Sequence, residues 1–99
     1  MVVSPEGKVG IDVECRRKIG DGLMNRVCTA DERAAVLASA DPTMAFLQFW
    51  TRKEAVLKMR GTGIQGFGSM VDALSDSSCH VMDLETRIPE VVASLATGV

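Results

Sequence analysis

The chain has 99 residues, 46% hydrophobic and 24% charged, with 11 Lys and Arg against 13 Asp and Glu for a net charge of −2. That length holds one domain, residues 1–99, with a single core and little surface left for a second function. The composition excludes a disordered or low-complexity chain, and the charge balance gives no sign of nucleic acid or an acidic membrane surface as partner. No apolar run approaches the roughly 20 residues of a membrane span, so a soluble protein is expected.

Any basic recognition patch must be local. Arg16, Arg17 and Lys18, with Arg26 and Arg33 downstream, form the one cluster of note, and such clusters are mostly solvated faces. Cys15, Cys28 and Cys79 are an odd set without metal-ligand spacing, and no apolar signal segment precedes them, which fits a reducing cytoplasm. Zinc at His80 and Cys79 would need distant partners that the sequence does not offer nearby.

In chain order, the first element starts at Val9. Val9, Ile11 and Val13 alternate with Gly10, Asp12 and Glu14, the period of a half-buried strand, so Asp12 and Glu14 share a face. Taken alone, that pair reads as the wet face of an edge strand. Residues 15–25, with Gly20 and Gly22, read as a loop or a broken short helix.

Thr29-Ala30-Asp31-Glu32 has the capping-box pattern, which predicts a helix from there to about residue 40. Asp41 can cap and Pro42 suits a first helical position, so a second helix is expected over about 42–60, stopped by Gly61. Its Phe46, Phe49, Trp50, Val56 and Leu57 form a core-facing stripe. Lys53 falls at the centre of that stripe, where a charge needs a partner or a route to solvent.

Beyond Gly61-Thr62-Gly63, glycines and a polar run from Ser75 to Ser78 suggest short strands joined by turns. Residues 79–85 and 91–96 read as two further strands with Pro89 in the turn between them, although the Ala and Leu of the last segment also suit a helix.

Several residues can carry chemistry. Glu54 and Lys58 lie one helical turn apart, in reach of each other, an arrangement that is usually a surface ion pair. The Gly61-Thr62-Gly63 turn can leave amides free near a phosphate, but more often such a turn is only a helix stop. Magnesium takes oxygen ligands in an octahedron, binding through a few carboxylates while substrate phosphates and water fill the rest. A strand offering Asp12 and Glu14, completed by Glu54 from a packed helix, makes such an open site.

Together, Val9-Gly10-Ile11-Asp12-Val13-Glu14 and Phe49-Trp50-Thr51-Arg52-Lys53-Glu54-Ala55-Val56-Leu57-Lys58 resemble the two signature motifs of the phosphopantetheinyl transferase superfamily in order and spacing. Val27-Cys28-Thr29-Ala30-Asp31-Glu32-Arg33 and Gly61-Thr62-Gly63-Ile64 are also similar to family segments. The resemblance covers residues 8–64 well and the remainder loosely. It implies an α+β domain with helices packed on a small antiparallel sheet.

It also implies Asp12, Glu14 and Glu54 as magnesium ligands, with Lys53, Lys58 and the Gly61-Thr62-Gly63 turn toward the phosphates of coenzyme A. Glu54 and Lys58 would be the catalytic pair, Glu54 taking the proton from a serine of an apo acyl or peptidyl carrier protein. The implied reaction is transfer of 4'-phosphopantetheine with release of adenosine 3',5'-bisphosphate, in fatty-acid, polyketide or peptide assembly. The Asp-Val-Glu strand resembles the metal-bearing half of the two-domain transferases, and the Gly-Thr-Gly-Ile turn resembles the trimeric carrier-protein synthases. A histidine and basic residues that the other half supplies have no counterpart, so a homo-oligomer that rebuilds the cleft, or a non-catalytic interaction module, is the further expectation.

Overall fold

The structure is a computed structural model that describes residues 9–60, 73–75 and 79–98. In order, these form β1 (Val9–Cys15), α1 (Asp21–Val27), α2 (Ala30–Ala38), α3 (Pro42–Arg60), a 3-10 turn (Ala73–Ser75), β2 (Cys79–Leu84) and β3 (Val91–Gly98). This is the expected α+β arrangement, helices packed on a small antiparallel sheet. The last segment is a strand and not a helix, because every residue of it pairs with a neighbour: β3 is the central strand, antiparallel to both β1 and β2. Residues 15–25 contain the short helix α1, which runs on to Val27. Of the strands expected between residues 61 and 78, only the 3-10 turn lies within the described residues.

Helix starts are set by local chemistry. The Thr29 hydroxyl accepts from the Glu32 amide at 3.2 Å while the Glu32 carboxylate accepts from the Thr29 amide at 2.8 Å, closing the expected capping box. Asp41 caps α3 by accepting from the Met44 amide at 3.3 Å, with Pro42 in the first helical position, where its missing N–H costs nothing.

The long helix α3 is the spine of the fold and crosses the inner face of the sheet. Its core stripe is wider than the apolar pattern suggests. Phe46, Leu47, Val56 and Leu57 are buried as expected, and so are Thr51, Lys53, Ala55 and Met59, whereas Phe49 and Trp50 are only half-buried. Burial of Thr51, Ala55 and Met59 follows from contact with the sheet, where small or flexible side chains permit close approach.

β1 is the edge strand it was expected to be, but its carboxylate face is not the wet one. Asp12 is 6% exposed, while Ile11 and Val13 are 51% and 56% exposed on the opposite face. Gly10 explains the inversion. A Cβ there would lie 1.9 Å from the Ala55 carbonyl oxygen and 2.4 Å from the Met59 nitrogen, so α3 rests directly on the strand backbone and carries the Gly10–Asp12–Glu14 face inward with it. Directly across the sheet, Asp12 faces Ser94 and Ser94 faces Asp83, which makes one polar row on the inner face.

Candidate active site

The two motifs meet because α3 packs on the backbone of β1 at Gly10. Successive same-face residues on a strand are about 6.6 Å apart, and one turn of helix advances 5.4 Å. Glu14, Asp12 and Gly10 on β1 therefore run beside Trp50, Glu54 and Lys58 on α3, with the two elements antiparallel. Contacts mark both ends of this seam: Arg17 links Glu14 to Trp50, and Lys58 Nζ donates to Asp12 Oδ1 at 2.7 Å. Glu54 stands between them.

The electrostatics confirm a cluster. Burial pushes the Asp12 carboxyl above the usual carboxylate range, and nearby Glu14 adds to this while Lys58 opposes it. Burial likewise raises Glu54, helped by Asp12 and Glu14 and opposed by Lys58. Lys58 in turn is held above the ordinary lysine range, chiefly by its hydrogen bond to Asp12. Desolvation and like charges together make both carboxyls harder to ionise here than in water.

Asp12 carries the most pointed observation. Its Oδ1 has Lys58, but its Oδ2 is buried without a hydrogen-bond partner among the described residues. A buried carboxylate oxygen left unpaired is costly, and a water, an ion or a ligand group is what ordinarily satisfies one. The donor set here consists of hard oxygens, which suits magnesium. Among the described residues, no three Asp, Glu, His or Cys side chains are already gathered tightly enough to hold a metal ion. Two of the carboxylates instead hold cations, Lys58 on Asp12 and Arg17 on Glu14.

Lys53 is placed elsewhere. Its side chain is fully buried, and the ammonium donates to the Val27 carbonyl at 2.6 Å and to the Glu32 carboxylate. It faces the α1–α2 junction beside Cys28, whose thiol is pushed up by burial and pulled back by this ammonium. The expected contact with a coenzyme A phosphate is thus not available in this arrangement, because a lysine at the centre of a buried stripe found an internal partner. Gly61, Thr62 and Gly63 lie outside the described residues.

Sequence reasoning missed a neighbouring network. Arg52 grips Asp83 through two hydrogen bonds of 2.8 and 2.7 Å, Gln48 reaches Asp83 and Ser94 at 2.9 and 3.2 Å, and the Thr51 and Ser94 hydroxyls share a hydrogen bond of 2.9 Å. The signal present was Gln48, Thr51 and Arg52 on one side of α3, but nothing local announced their partners on β2 and β3. Arg16 belongs to the local basic cluster expected to be mostly a solvated face. It is instead a tie, with its guanidinium on both Asp41 and Glu90 and its amide donating to the Glu90 carbonyl at 2.7 Å.

Residues 8–96 match the 4'-phosphopantetheinyl transferase superfamily. The chain belongs to that superfamily. It is 32% identical over 96 residues to the 4'-phosphopantetheinyl transferase AcpT of Salmonella typhi, and equally to that of Salmonella typhimurium strain LT2, covering 89% of this chain and 50% of each relative. The chain thus spans about half the length of the relatives it matches. No helix among the described residues is long and apolar enough to cross a membrane.

Proposed function

We propose that this chain supplies the magnesium-binding half of a transferase that moves 4'-phosphopantetheine from coenzyme A to a serine of an apo acyl or peptidyl carrier protein. The observation that carries the reading is the meeting of Asp12, Glu14, Glu54 and Lys58 along the β1–α3 seam, with one buried oxygen of Asp12 still unpaired.

Asp12, Glu14 and Glu54 would hold the ion, which would supply positive charge against that developing on the diphosphate oxygens. Lys58 is half-exposed at the mouth of the cluster, so its ammonium can turn from Asp12 to a phosphate oxygen of coenzyme A. Glu54 accepts the proton of the serine hydroxyl, directly or through a water. The serine oxygen bonds to the β-phosphorus while the bond from that phosphorus to the bridging oxygen breaks. Adenosine 3',5'-bisphosphate leaves. Positioning and charge neutralisation do most of the work in such a transfer. The Gly61-Thr62-Gly63 turn belongs to the phosphate side of this reading.

The test is the intact mass of an apo carrier protein after incubation with the chain, coenzyme A and magnesium. A phosphopantetheine adduct that Glu54→Gln abolishes supports the reading. No adduct with an oligomeric preparation that binds both coenzyme A and magnesium ends it.

The half-length match to the relatives favours one second reading, a non-catalytic module that keeps the fold and binds a carrier protein. A monomer with no affinity for coenzyme A would identify it. A homo-oligomer, in which copies rebuild the cleft, belongs to the first reading.

A further inference from the structure

The sheet carries its charges inward and its apolar residues outward. The polar row of Asp12, Ser94 and Asp83 lies on the inner face, toward α3, and the residues that alternate with it lie on the other. There Ile11, Leu95 and Met82 stand in line across the three strands, and Val13, Ala93 and Leu84 form the next line. No Asp, Glu, Lys or Arg belongs to this outer face of β1, β2 or β3, in a chain that is 24% charged. A strand with one face in water puts its polar residues on that face, so this face is not built to meet water. Ile11, Val13 and Met82 are each more than half exposed, whereas Leu95 and Ala93 on the central strand are buried yet belong to neither core cluster beneath α3.

We infer that this outer face is covered by the same face of a second copy of the chain, in a two-fold dimer. The relief of the face selects that occupant. β1 stands up as a ridge through the exposed Ile11 and Val13, and the β2 side holds a hollow of about 170 Å³ lined by His80, Met82, Leu95 and Thr97. A two-fold axis running along β3 sets β1 of each copy over β2 of the other. The ridge of one copy then meets the hollow of the other twice, and the strands of the two sheets stay nearly aligned, as in a sandwich.

The spacing of three strands gives a patch of roughly 14 by 20 Å. Two copies of it make an interface at the small end of the specific ones, so an association in the micromolar range is expected. The net charge of −2 opposes such a contact only weakly. Asp12 and Glu14 are on the opposite face, so the inference stands apart from the transferase reading.

Sedimentation equilibrium from low micromolar to submillimolar concentration tests it, with wild type, Ile11→Lys, Met82→Glu and an equimolar mixture of the two variants. Wild type should approach twice the chain mass as concentration rises. Either variant alone should weaken the pair about tenfold or more, because a charge is then pressed against an apolar face. The mixture should recover the dimer, since the arrangement brings the ammonium of one chain against the carboxylate of the other. Both positions are more than half exposed in the single chain, so each variant should keep the far-ultraviolet circular dichroism of wild type.

A wild type that stays monomeric throughout leaves the face to another occupant and overturns the inference. A dimer that both variants leave intact is made by some other surface, which overturns it equally. Variants that dissociate singly and stay apart in the mixture, or a wild type that settles at three copies, overturn the two-fold arrangement. The transferase reading is judged separately, by the carrier-protein adduct.

Discussion

Gly10 and Ala55 approach so closely that a side chain on one would strike the backbone of the other, with a Cβ on Gly10 only 1.9 Å from the Ala55 carbonyl oxygen. This contact sets how deep β1 lies under α3, and hence how near Asp12 comes to Glu54 and Lys58. The obstructing atoms are main-chain atoms of a helix, so they cannot rotate away. Gly10→Ala should therefore cost about 3 kcal/mol, the upper part of the range for forcing volume into a packed site. A urea melt measures the loss, and an unchanged midpoint would mean that the seam is looser than described.

Asp12 gives a prediction of the opposite sign. Its folded-state carboxyl titrates above its ordinary value because burial outweighs the help from Lys58. Ionising it in the fold is then harder than in the unfolded chain. The resulting cost is absent below the ordinary carboxylate value, grows as pH rises toward the raised folded value, and stays constant at neutral pH. Asp12→Asn removes it. The variant should melt above wild type at pH 7, with the advantage fading as pH falls through the raised folded value and gone below about 4, and it should lose manganese binding. Thermal melts across pH 4–8 beside a manganese titration test both halves. A stability given up at a carboxylate is what a binding site requires.

The sequence made most of the described elements legible, because each rests on a local signal, whereas the pairing of β1 with α3 was implied only by the resemblance. The capping box at Thr29, the Asp41-Pro42 start of α3 and the alternation of β1 act over a few residues, and each is present as read. The direction of β1 was not legible. Alternation tells which residues share a face but not which face is covered, and the absence of a side chain at Gly10 decided that against hydrophobicity. Lys53 and Glu54 show the same limit. They are neighbours in one motif, yet the 100° between them sends one ammonium into the core toward Glu32 and the other side chain to the cluster. The Arg52–Asp83 pair spans 31 positions, and no period encodes such a partner.

Lys53 can be tested as a buried tie. Its ammonium holds the Val27 carbonyl and Glu32 together, joining α3 to the α1–α2 junction. Lys53→Ala both opens a cavity and breaks a buried pair, and should cost about 3–5 kcal/mol. Lys53→Met keeps most of the volume and should cost less than the alanine variant by 1 kcal/mol or so. At a temperature where Lys53→Met stays folded, its affinity for coenzyme A should equal that of wild type. A large loss there would return Lys53 to the phosphates.

Asp83 sits in the same polar row as Asp12, two strands away, and its pH behaviour should be the mirror image. The guanidinium of Arg52 holds its carboxyl below the usual range, with a smaller contribution from Ser94. A lowered carboxylate stabilises the fold above its unfolded value, and that stabilisation is lost as pH falls through the folded one. Both partners are partly exposed, so the pair is worth only about 0.5–1 kcal/mol at neutral pH. Asp83→Asn should accordingly lower the melting temperature by about 4 °C at pH 7, and the difference should close in acid below about pH 4. Asp12→Asn and Asp83→Asn thus shift stability in opposite directions at neutral pH and converge on wild type in acid. If both variants shifted it the same way, the two ends of the row would not differ in burial and pairing as the structure has them.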